Sequence, residues 1–104
     1  MALIDRLAGI NLTGEDDGKI SVHYFWAGMV ELSLGEVSVA QFKSNFNLTG
    51  SDASDFDWLV GKYQASAHKE RFIELMHVIF MLAESVAPGY TTTAELQARI
   101  NRIG

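Results

Sequence analysis

Residues 68–86 read His68-Lys-Glu-Arg-Phe-Ile-Glu-Leu-Met-His-Val-Ile-Phe-Met-Leu-Ala-Glu-Ser-Val86, and this stretch decides the fold. Phe72, Leu75, Met76, Ile79, Leu82, Ala83 and Val86 follow i, i+3, i+4 spacing, the period of an amphipathic α-helix. Ile73, Phe80 and Met81 fill other sides, which predicts a central helix buried on most of its surface. Pro88-Gly89 stops it: proline has no amide hydrogen to donate, and glycine accepts a left-handed backbone. The most apolar part, Leu75 to Ala83, contains His77 and covers about half of the roughly 20 residues that a bilayer demands.

Moving towards the N-terminus, Ser51 opens a helix with Asp52 and Asp55 in its first turn, where carboxylates suit the positive end of the helix dipole. Its apolar positions are Phe56, Leu59, Val60 and Tyr63, with Trp58 on one flank. Ser38-Val-Ala-Gln41 is a capping-box pattern. It begins a helix that carries Val39, Phe42 and Phe46 and ends near Asn47, in the turn Asn47-Leu-Thr-Gly50. Residues 22–34 form a further helix between Ser21 as N-cap and Gly35 as the residue past its end. That helix is apolar nearly all round, which predicts burial on several sides. The clustered β-branched and aromatic residues of Ile20 to Trp26 leave a strand as the alternative. Residues 2–10 make a short helix with Leu3, Ile4, Leu7 and Ile10 on one side, and residues 11–20, with two glycines and three acids, are a loop. Towards the C-terminus, Thr92-Thr-Ala-Glu95 is a second capping-box pattern, followed by Leu96, Ile100 and Ile103. Residues 1–104 thus read as one all-α domain, a bundle of five or six helices.

The chain also echoes itself at an offset of 54 residues. His23 falls on His77, Gly35 on Gly89, Ala40 on Ala94, Asn47 on Asn101 and Gly50 on Gly104. Each half then reads as apolar helix, glycine stop, capping box and short amphipathic helix, which admits two similar helical hairpins. The smaller echo Asn-Leu-Thr-Gly at 11–14 and 47–50 marks two similar helix exits.

Composition narrows the function. The 104 residues hold 13 acidic and 8 basic side chains, a net charge of −5, and no cysteine. Disulfides, thiolate zinc sites and cysteine nucleophiles are excluded outright, and the charge argues against neutralising phosphates. The start Met1-Ala-Leu-Ile-Asp-Arg-Leu7 lacks the pattern of a secretory signal, so a soluble chain of a reducing cytoplasm is expected.

Candidate chemistry is sparse. Glu74 and His77 have the Glu-x-x-His spacing of carboxylate-bridged metal bundles, but such a site needs a second copy of the motif. Position 20, three residues before His23, is Ile, so no metal or cofactor is expected. Residues 38–60 have the size of a helix-turn-helix. Its reading helix would present Asp52, Asp55 and Asp57 to phosphates, offset only by Lys62, so no nucleic-acid partner is expected. No catalytic residue, small-molecule substrate or membrane contact is assigned, and the chain reads as a non-enzyme.

The apolar content is the more telling feature. The helices at 22–34 and 72–86 look richer than one small core requires, which points to a protein partner or to further copies of the chain. Leu3, Ile4, Leu7, Trp58 and Tyr90 are the expected contact residues, with 2–10 as a segment able to dock on a neighbouring copy. The rival reading is a small acidic inhibitor of a basic host or defence protein, acting through Asp16, Asp17, Asp52, Asp55 and Asp57.

The stretches Val37-Ser-Val-Ala-Gln-Phe-Lys-Ser-Asn-Phe-Asn-Leu48, Ser51-Asp-Ala-Ser-Asp-Phe-Asp-Trp-Leu-Val60 and Thr91-Thr-Thr-Ala-Glu-Leu-Gln-Ala-Arg-Ile-Asn101 resemble small helical proteins of tailed bacteriophages. Such proteins are often encoded among tail and tail-fibre genes. The resemblance covers about half the chain. It implies a structural part in the virion, in the tail, neck or fibre-attachment region, assembled in the host cytoplasm, and it transfers no catalytic residues.

Overall fold

Local caps start or stop several of the expected helices, and a computed structural model of the chain, which describes residues 2–9, 18–85 and 92–103, holds six helices among those residues. They are α1 (Ala2–Ala8), α2 (Val22–Ser33), α3 (Val39–Asn45), α4 (Ser51–Ala65), α5 (Lys69–Ser85) and α6 (Thr93–Asn101). Among the described residues there is no strand, so the chain is an all-α bundle.

The caps follow the side chains. The Ser21 hydroxyl accepts the Tyr24 amide at 3.5 Å. At the other end of α2, Gly35 takes φ +76° and the Glu36 amide returns to the Glu31 carbonyl at 2.9 Å. That is a Schellman ending, which hands orphan carbonyls their donors. The capping box of α3 is complete: Ser38 Oγ accepts from the Gln41 amide at 3.1 Å, and Gln41 Oε1 accepts from the Ser38 amide at 2.8 Å. Asn47 at φ +54° closes α3 in the same Schellman manner, and the next residue, Leu48, is buried. Thr92 caps α6 through the Glu95 amide at 3.2 Å. With Ser21 capping a helix, the strand alternative for Ile20 to Trp26 gives way. The stop at Pro88-Gly89 and the first Asn-Leu-Thr-Gly exit lie outside the described residues.

The core is built on phenylalanine. Phe42 stacks on Phe56 at 4.3 Å between ring centroids, and Phe25 meets Phe42 edge-on at 5.1 Å. Leu7, Met29, Phe72, Met76, Phe80, Leu96 and Ile100 are also fully buried. Full burial of such side chains contributes about 1.5–3 kcal/mol each.

Two expectations are corrected here. Helix α2 is not buried on several sides: Val22, Phe25 and Met29 face inward, whereas Tyr24 is 74% exposed and Leu34, just past its end, 67%. Helix α5 buries Phe72, Ile73, Met76, Phe80 and Ala83, but leaves Val78 48% and Leu82 53% exposed. Helix α5 is nonetheless the central element, as expected, packed against α1, α2, α4 and α6; the apolar residues that no neighbour reaches stay at the surface.

The segment 2–10 is corrected as well. Helix α1 does not await a neighbouring copy; it is an inner element of its own chain. Leu3, Ile4, Leu7 and Ala8 are all buried, packed with α4, α5 and α6, while Ile10 lies outside the described residues. Polar links secure the helix. The buried Asp55 carboxylate accepts the Leu3 amide at 2.9 Å, Arg6 is ion-paired with Asp52, and the Thr93 hydroxyl donates to Asp5.

Candidate protein-binding groove

Helices α2 and α5 lie side by side and antiparallel. Lys19, just before α2, reaches Glu84 near the end of α5 at 3.6 Å, and the ends of the pair opposite these bring Leu34 near Glu70. Between them runs a groove of about 200 Å³, lined by Trp26, Val30, Ser33 and Leu34 from the α2 side and by Glu70, Ile73 and Glu74 from α5. Helical spacing places these residues: 26, 30 and 33 share one stripe of α2, and 70, 73, 74 and 77 share one of α5.

An aromatic cluster sits beside the groove. Trp26 stacks on the His77 imidazole at 4.6 Å with 21° between planes, and His23 meets His77 edge-on at 5.4 Å. The two histidines are the pair that the 54-residue echo superposes. Trp26 Nε1 and His77 Nε2 are buried without a hydrogen-bond partner among the described residues. Burial, and then the neighbouring His23, hold the His77 pKa below its ordinary 6.5, so the ring is neutral at pH 7. Glu74 does not join this pair: among the described residues no group of three or more His, Asp or Glu side chains is placed to hold a metal ion.

The rim of the groove is acidic. Among the described residues the ion pairs are Arg6–Asp52, Lys19–Glu84 and Lys43–Asp57, and Glu70 and Glu74, both exposed, belong to none of them. A third of a turn or so further round α5, a second surface has the opposite sign. A cleft of about 390 Å³ is lined by Ala67, His68, Arg71, Leu75, Arg102 and Ile103. Arg71, Leu75, Val78 and Leu82 continue it as a ridge along one face of the helix.

The contact residues expected from the sequence fall elsewhere. Leu3, Ile4 and Leu7 are core, 3% exposed or less, and are withdrawn as an interface. Trp58 is half-buried against the core, with Lys62 Nζ 5.8 Å from its ring centroid. Tyr90 lies outside the described residues. The acidic candidates do not gather into one free patch either. Asp52 and Asp55 hold α1, Asp57 pairs with Lys43 at 2.7 Å, and Asp16 and Asp17 lie outside the described residues. The sequence did not single out Tyr24, Leu34, Val78 and Leu82 as surface residues. Their signal was present in the apolar surplus of two helices, but only the packing shows which face of each helix is left over.

Among the described residues no helix is long and apolar enough to cross a membrane. Compared with family models, curated proteins and solved structures, the chain matches none of them.

Proposed function

We propose that this chain is a structural, non-enzymatic interaction protein whose work is to pack against other protein subunits through apolar helix faces. The observation that carries the reading is the pair of apolar surfaces on α2 and α5. Tyr24, Leu34, Val78 and Leu82 remain exposed although five phenylalanines and a set of leucine, isoleucine and methionine side chains already fill the interior. Leu34 lies on the α2/α5 groove and Val78 and Leu82 share one face of α5, and contiguous exposed apolar side chains mark contact surfaces. The likeness of residues 37–60 and 91–101 to small helical proteins of tailed bacteriophages supplies the setting: a part of the tail, neck or fibre-attachment region of a virion.

The test is mass spectrometry of purified particles from a phage carrying this sequence. The chain is expected in the particle in multiple copies, and its absence from intact particles, with abundance in the lysate, would refute the virion role. The solution mass of the purified chain checks the assembly component separately.

A further inference from the structure

We infer that the acidic-rimmed α2/α5 groove of one copy receives the basic ridge of α5 from the next copy, so that the chain assembles head to tail. This rests on the reading of the protein as an assembling subunit and names the occupant of its groove. Three observations carry it. First, the groove has an apolar floor of Trp26, Val30 and Ile73 with Glu70 and Glu74 at its edge, and neither glutamate is in an ion pair among the described residues. Second, the same chain presents the complementary charge beside exposed apolar side chains. Arg71, Leu75, Val78 and Leu82 run i, i+4, i+7, i+11 along the outer face of α5, the anchor spacing of a helix that lies in a groove. Val78 and Leu82 are about half exposed, and Arg71 and Arg102 are in no ion pair among the described residues. Third, an acidic chain of net charge −5 repels its copies at long range, which favours a self-contact where local charges complement over one where they do not. This arrangement sets two arginines against two glutamates.

Groove and ridge are different surfaces. A contact between them is heterologous, and repeated contacts of that kind close into a ring or continue as a filament.

The experiment is a charge exchange read by sedimentation velocity. Glu74→Lys reverses the groove edge, and Arg71→Glu reverses the ridge. Both positions are exposed, and the second places an acid in the first turn of α5, where the dipole favours it; circular dichroism confirms that both variants fold. The parent is expected to associate with rising concentration, and each variant alone to dissociate at concentrations at least about tenfold higher. An equimolar mixture of the two is expected to recover association. There the lysine introduced into the groove of one variant meets the glutamate introduced on the ridge of the other, while the parental pairing serves the alternate contacts. Glu95→Lys on α6 changes net charge as much as Glu74→Lys and is expected to leave association intact.

A parent that stays monomeric at millimolar concentration overturns the inference, while leaving a role in the particle open to the mass spectrometry above. A parent that assembles, with both variants assembling equally well, also overturns it and leaves the assembly reading standing with its interface elsewhere. Loss in the variants without recovery in the mixture, or equal loss in Glu95→Lys, likewise overturns the pairing.

Discussion

Gly28 sits where α2 meets α3, and a methyl group there would lie 2.7 Å from Cε2 of Phe42 and 3.0 Å from Cε2 of Phe46. Phe42 cannot swing aside, because it is buried and stacked between neighbours of the phenylalanine core. Overpacking costs about 1–3 kcal/mol, against a helix-propensity gain of about 1 kcal/mol for alanine over glycine. Gly28→Ala is therefore expected to lose about 1 kcal/mol of stability. Gly61 is the opposite case, an exposed position within α4 where none of the described residues comes within 4 Å of the added carbon. Gly61→Ala is expected to gain about 0.5–1 kcal/mol. Urea midpoints of the two variants should move in opposite directions, and a shift of the same sign would contradict this packing of α2 on α3. His77 offers a second residue-scale prediction. The unfolded chain takes up its proton near pH 6.5, whereas burial and the neighbouring His23 delay uptake in the folded chain to lower pH. Protons thus favour unfolding: stability is full above that value and declines as the pH falls below it. His23 faces the ring from α2, and Glu74 precedes it by one turn of α5. Between pH 7 and pH 5 the urea midpoint of the parent should fall more than that of His77→Gln. Parallel slopes for the two would remove His77 as the source.

At the scale of elements, α1 is the one whose role depends most on the others. Seven residues do not sustain a helix in water, so α1 exists because Leu3, Ile4 and Leu7 are buried and because Asp55 accepts the Leu3 amide. Leu7→Ala should cost about 2–5 kcal/mol through the cavity it leaves. Asp55→Ala should cost about 1–3 kcal/mol by stranding a buried amide. If α1 is held as described, hydrogen exchange of residues 3–8 should speed up in Asp55→Ala more than that of α6; a uniform change would mean that the carboxylate has no special hold on α1. How far such features were legible in the sequence divides along the same line. Ser21, Gly35, the Ser38–Gln41 box and Asn47 act within a few residues of themselves, so their geometry was readable from spacing alone, and with it a bundle of five or six helices. Asp52 suits the start of α4, whereas Asp55, expected in its first turn, is the fifth residue of the helix and buried; the local pattern hid the task both share, gripping a helix far earlier in the chain. The apolar runs of α2 and α5 announced helices but not which stripe would be left outside. That choice is made by the neighbours, through contacts such as Trp26 on His77, and is not written in either run by itself.

For the molecule as a whole, the Cα radius of gyration of 12.9 Å is what about 100 residues give when closely packed, roughly 13 Å. The exposed apolar residues are thus not the by-product of an extended shape; they lie on the outside of an interior that is already closed. The contacts that close it are long in sequence: Leu3 with Asp55 spans 52 positions, and Asp5 with Thr93 spans 88. During synthesis, then, α1 leaves the ribosome well before the partners that hold it, since α4 must be made before Asp55 can receive it and α6 before Thr93 can. Late docking has a kinetic signature. Leu7→Ala should accelerate unfolding far more than it slows refolding, as stopped-flow measurements in urea would show; an equal loss on the folding arm would make α1 part of the nucleus instead. Until that docking, Leu3, Ile4 and Leu7 are an open apolar strip on a nascent chain, and the interval in which aggregation threatens is set by how soon residue 93 is synthesised.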